Sequence, residues 1–143
     1  MTIVVAVVTT DSLVLASDSA TTQRLPTVGG GVQTSSIWNS ANKIVNLRKS
    51  WPVGAMTFGR ASFKGQSIAI HCKELRARLS GTVTDVDFPA LVEDKFSVED
   101  FARAVHKYFL PLYKAEPGGA FGFLTGGFSA GQASPELWQI MIT

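Results

Sequence analysis

The sequence predicts an α+β domain in which antiparallel sheets are covered by helices. Three observations lead there: two strand-like runs open the chain, two amphipathic helical patterns fill its middle, and a strand, turn and strand close it. With 143 residues, 45% of them hydrophobic, the default is a single domain over 1–143 with a core of its own.

Taken in order, Ile3 to Val8 is a β-branched run and Leu13 to Ala16 is a second, with the polar Thr9, Thr10 and Asp11 between them. A turn centred on Thr10 and Asp11 makes a hairpin, and its antiparallel register carries Asp18 back to within about a residue of Thr2. The segment from Gln23 to Val32 reads as a flexible loop, either a lid or a solvated insertion. From Arg60 to Leu79 the pattern predicts one amphipathic helix, with Ile68, Cys72, Leu75 and Leu79 on its apolar face and Ser80-Gly81 closing it. Ser97 with Asp100 predicts the start of a second helix, and Pro111 is expected to kink or end it near Leu110. Phe121 to Phe128 and Glu136 to Ile142 complete a strand, turn and strand unit.

Composition excludes more than it selects. Thirteen basic residues against eleven acidic leave a net charge of +2, and no basic stripe with interleaved aromatics appears, so nucleic acid is not an expected partner. The opening apolar run is too short to span a bilayer and lacks the basic region of a secretory signal, so the expected location is the cytoplasm. Cys72 is the single cysteine and is expected in the core; His71 and His106 are given no chemistry. Asp85 and Asp87 read as solvated turn residues. Gly29 to Gly31 and Gly126-Gly127 lack the following Lys-Ser/Thr and helix that a phosphate loop requires. No metal or organic cofactor is expected.

Thr2 is the candidate for chemistry. Removal of Met1 would leave a threonine whose hydroxyl can attack a carbonyl while its own α-amine, with an ordinary pKa of about 7.7–8.0, takes the proton. Read singly, Thr2 is an ordinary second residue, Asp18 a turn-forming strand end, Lys43 a solvated edge lysine and Gly59 a turn glycine.

Their order carries more. Thr2-Ile3-Val4-Val5-Ala6-Val7, then Leu13-Val14-Leu15-Ala16-Ser17-Asp18, then Asn42-Lys43-Ile44-Val45, then Val53-Gly54-Ala55-Met56-Thr57-Phe58-Gly59 resembles the opening of proteasome-type β subunits and their bacterial homologues. These are N-terminal-nucleophile hydrolases. The resemblance implies a four-layer α/β/β/α sandwich with two antiparallel sheets, and a threonine peptidase that assembles into homo-oligomeric rings. Peptide or unfolded protein would be its substrate, and an ATP-dependent unfoldase a possible partner. It further implies Thr2 as nucleophile and base, Asp18 and Lys43 as a charge pair, the Gly59 N–H as oxyanion donor, and Thr57 and Phe58 as the adjoining wall. A catalytically silent ring subunit and an acylase cleaving a small amide are the alternatives on the same scaffold.

The chain departs from the family in two places. Where the family often carries an arginine two positions after the aspartate, this chain has Ala20. Family members also continue beyond the point reached here, with a serine and an aspartate that orient the terminal amine and have no match. The expectation is therefore an incomplete version of the fold, or one supplied with elements by another chain.

Overall fold

A computed structural model describes residues 2–38 and 42–143. Among these residues the chain is mixed α+β, with two helices and antiparallel sheets. Strands β1 (Val4–Val8) and β2 (Leu13–Ser17) form the expected hairpin, Val4 opposite Ser17 and Val8 opposite Leu13. Its turn is closed by the Thr9 N–H donating to the Ser12 carbonyl at 2.8 Å, while the Thr9 and Ser12 hydroxyls both donate to Asp11.

The expectation of a loop over Gln23 to Val32 is corrected. Strands β3 (Thr21–Pro26) and β4 (Val32–Trp38) pair antiparallel as a second hairpin, with a register shift between Gln23 and Arg24. β-branched residues at 21, 22, 32, 34 and 37 favour extended backbone on both arms. Only the tip, Thr27 to Gly31, is a turn, closed by the Thr27 N–H on the Gly31 carbonyl.

The principal sheet runs β10 (Glu136–Ile142), β9 (Phe121–Gly127), β6 (Val53–Phe58), β5 (Ile44–Asn46), all antiparallel. The long helix expected from Arg60 is shorter. Residues 62–67 form a miniature hairpin, β7 (Ser62–Phe63) and β8 (Gln66–Ser67), turned by Lys64 and Gly65 with φ of 49° and 73°. A left-handed pair of this kind cannot sit inside a helix. Helix α1 (Ile68–Leu79) begins after it, with the Ser67 hydroxyl accepting from the Ile70 N–H; Ile68, Cys72, Leu75 and Leu79 are buried as the pattern required. Helix α2 (Val98–Ala115) starts at a capping box of Ser97 and Asp100 and continues through Pro111, so of the two expectations for that proline, a kink or an end near Leu110, the end is corrected. Pro111 is exposed, and the buried Phe109 and half-buried Leu112 and Tyr113 hold the turns on either side against the core.

Both helices pack on one face of the principal sheet. Phe63, Phe109, Phe121 and Phe123 are fully buried between them, with the Phe109 and Phe123 rings 4.8 Å apart and the Trp51 and Phe96 rings stacked at 4.3 Å. A buried phenylalanine contributes about 2–3 kcal/mol, so this cluster dominates the core. The β1–β2 hairpin lies on the opposite face: Leu15 sits over Gly54 and Leu13 over Gly126, where the missing side chains make room. The order of layers is thus helices, sheet, hairpin. No helix among the described residues is long and apolar enough to cross a membrane.

Candidate active site

The hairpin register delivers Asp18 to the start of the chain. The Asp18 N–H donates to the Ile3 carbonyl at 3.0 Å, and the Ile3 N–H donates to Asp18 Oδ1 at 3.0 Å, so the residue after Thr2 is clamped to the aspartate from both sides. Lys43 arrives from the other sheet. Its Nζ lies 2.8 Å from Asp18 Oδ1 and 2.6 Å from the Ala20 carbonyl oxygen. Lys43 is only 8% exposed, and among the described residues this is the one ion pair that joins the hairpin to the principal sheet.

The electrostatics are those of a stabilised carboxylate. Donation from the Lys43 ammonium, then from the Ile3 N–H, holds the Asp18 carboxyl below its usual 3.8, against a smaller opposing effect of desolvation. An ammonium has three N–H donors, and two of them have acceptors here.

Gly59 follows from the strand that fixes Lys43. The Thr57 N–H donates to the Lys43 carbonyl at 3.0 Å, and Gly59 stands two residues further along the same chain, with φ of 93°. A β-carbon at residue 59 would overlap the carbonyl oxygen of Ala120, so the backbone approach of the segment before β9 by itself demands glycine there. Phe58 packs over Gly122, and Thr57 is buried with no partner for its hydroxyl among the described residues.

Of the four residues singled out by sequence, Asp18 and Lys43 are therefore in direct contact, Thr2 adjoins them through Ile3, and Gly59 is linked to Lys43 through the β5–β6 ladder. Sequence reasoning missed two members of the cluster, the Ile3 N–H and the Ala20 carbonyl. Both are backbone groups, for which side-chain identity carries no signal. Ala20 contributes through its main chain alone.

No family model, curated protein or solved structure matches the chain.

Cys72 is buried, and desolvation pushes its thiol up to about 12, which makes it unreactive. His71 is buried between the Phe63 carbonyl, 3.1 Å from Nε2, and the Tyr108 hydroxyl, 3.3 Å from Nδ1. Asp85 is more engaged than a solvated turn residue, since it accepts from Arg78 and from the Asp87 N–H.

Proposed function

We propose that the chain is a threonine-type amide hydrolase of the N-terminal-nucleophile kind, a peptidase subunit of a proteasome-like assembly with Thr2 exposed by removal of Met1. The observation that carries this reading is the carboxylate of Asp18, which holds the chain at Ile3 and the Lys43 ammonium on the same oxygen. In this reading the Lys43 ammonium favours loss of the Thr2 hydroxyl proton by Coulombic attraction, and the Asp18 carboxylate is the ammonium's partner.

In the reaction so assigned, Thr2 Oγ1 attacks the amide carbon and its proton passes to the Thr2 amine. The Gly59 N–H donates to the oxyanion. Collapse expels the amine leaving group, which takes that proton back, and leaves an ester on Thr2. Water, deprotonated by the same amine, then releases the acid and restores threonine.

The packing supports the four-layer sandwich as well. The face of the β1–β2 hairpin turned away from the principal sheet carries Ile3, Val5, Val7 and Val14, all exposed. A strand pair apolar on both faces is the pattern of a sheet between two layers. Ring assembly, a peptide substrate and an unfoldase partner belong to the same proposal.

One observation favours the silent subunit instead: Gly59 is required by the approach of Ala120, whether or not an oxyanion is ever bound. Mass spectrometry and labelling separate the two. The active reading expects a species lacking Met1 that is modified once by a threonine-directed electrophile such as a peptide epoxyketone, and a Thr2→Ala variant that is not. Retention of Met1, or equal labelling of both proteins, overturns it. Lys43→Ala is expected to cut turnover by about 10²–10³-fold, the usual cost of one electrostatic contact to a reacting centre.

A further inference from the structure

A pocket of about 600 Å³ lies between β5 and α1. That size falls within the range of about 300–1,000 Å³ found for small-molecule sites. Its floor is apolar, with Trp51, Val53 and Cys72 buried and Val45 half-buried. Its helical wall is one face of α1, where Ala69, Lys73 and Arg76 recur at the three- and four-residue spacing that stacks side chains.

The charges at this pocket are of one sign. Lys73 and Arg76 line it, and among the described residues no acidic side chain does. The carboxylates that form ion pairs are engaged elsewhere, with Lys43, Arg60, Arg78, Arg103 and Lys107. Glu74, the one acid on α1, accepts from the Tyr108 hydroxyl. The charge of Arg76 is felt at the floor, where it opposes the upward push of burial on the Cys72 thiol. A third cation stands beside them: the Arg48 guanidinium lies 4.7 Å from the centroid of the Trp51 ring, and its Nε is buried with no partner among the described residues. A cleft with low-dielectric walls and charge of one sign draws in the opposite charge.

The strand that bounds the pocket is closed to an extended peptide. Asn42 Oδ1 accepts from the Ile44 N–H at 3.2 Å, Asn46 Oδ1 accepts from the Arg48 N–H at 2.9 Å, and Arg76 donates to the Asn46 carbonyl at 3.4 Å. With those backbone groups taken, what remains on offer is side-chain chemistry, which suits a compact ligand rather than an added strand.

We propose that this pocket binds a small organic carboxylate, its apolar body against Val45, Trp51 and Val53 and its charged end between Lys73 and Arg76. A guanidinium carries several N–H donors in a fixed fork, and only one here is directed at Asn46, so a carboxylate can still dock against the others. The assignment does not depend on Thr2 being a nucleophile.

The test is a titration of isotope-labelled protein followed by amide chemical shifts, with hydrocinnamate and octanoate as probes. Hydrocinnamide and inorganic phosphate are the controls, the first lacking the charge and the second the apolar body. The acids are expected to bind with a Kd of about 1 mM or tighter and to shift amides of β5 and α1. Each control is expected to bind at least about tenfold more weakly. The double variant Lys73→Ala, Arg76→Ala should lose the preference for acid over amide, and Ala69→Trp, which fills the cavity and leaves its charges in place, should abolish binding of both. Circular dichroism checks that the variants are folded, and the comparison of acid with amide on the wild type needs no variant. Equal binding of acid and amide, shifts centred outside β5 and α1, or a folded double variant that binds acid as tightly as the wild type overturns the proposal. So does phosphate binding as tightly as the acids, or neither acid binding up to about 10 mM.

Discussion

Lys43 is a cation held where water barely reaches, and its two acceptors differ in kind. The Ala20 carbonyl is fixed in the backbone, whereas the Asp18 carboxylate can be discharged by acid. Because the Asp18 pKa is lowered in the folded chain, its contribution to stability is complete above the unfolded value and is lost as pH falls below 3.8 and through the folded value. Urea unfolding of the wild type and Asp18→Asn should therefore differ at about pH 6, and the difference should shrink progressively as the pH is lowered below 3.8. An offset that does not change with pH would mean that the carboxylate is not what stabilises the pair. On the proposed chemistry, hydrolysis would show a different limb, rising as the Thr2 amine loses its proton near about pH 8. Thr125 presents the opposite case, a fully buried hydroxyl with no partner among the described residues on a sheet face otherwise filled by phenylalanine. Thr125→Val keeps the shape and removes the orphaned oxygen, and should raise stability by about 1 kcal/mol in denaturant. Asp18 and Lys43 were legible in the sequence because they are side chains at recognisable distances from the strand ends. The Ile3 N–H, the Ala20 carbonyl and the clash that compels Gly59 were not, because each depends on backbone positions fixed only when two sheets meet.

At the scale of elements, local chemistry was readable wherever one residue decides the conformation. Ser97 with Asp100 announced the start of α2, and the strand-like runs at the two ends of the chain match β1, β2, β9 and β10 closely in their limits. Where two signals competed, the stronger physics was not the more conspicuous one. The helical period from Arg60 onward was interrupted by the Lys64-Gly65 turn, whose positive φ values end any helix, so α1 waits for its Ser67 cap. The glycines at 29–31 signal a loop, whereas the β-branched arms on either side pair as a hairpin. Pro111 failed to stop α2 for a different reason. It removes only the hydrogen bond to the Lys107 carbonyl on the exposed side, while Phe109, Leu112 and Tyr113 remain packed. Pro111→Ala should restore that bond and stabilise the chain by about 2 kcal/mol, less any gain in unfolded-state freedom, as a higher midpoint in thermal unfolding. An unchanged or lower midpoint would indicate that the proline ring itself packs favourably.

For the whole molecule, the consequential feature is that the residues of the candidate site belong to two bodies. The four-stranded sheet and its helices share the phenylalanine core and carry Lys43 and Gly59. The β1–β2 hairpin brings Thr2 and Asp18 and pairs with no strand of the principal sheet. Leu13 and Leu15 over their glycines, together with the Asp18–Lys43 pair, are therefore asked to hold the hairpin in place. An element docked by a few half-buried side chains opens more readily than the body it rests on. Leu15→Ala should cost about 2 kcal/mol, and the loss should be local. In hydrogen exchange, amides of β1 and β2 would lose protection while those of α2 and β9 keep theirs. If the proposed chemistry is right, turnover would fall by more than the loss of folded protein explains, because the nucleophile leaves its ammonium whenever the hairpin lifts. Uniform loss of protection across β2 and β9 would instead make the hairpin part of one cooperative core, and the site as rigid as the sheet beneath it.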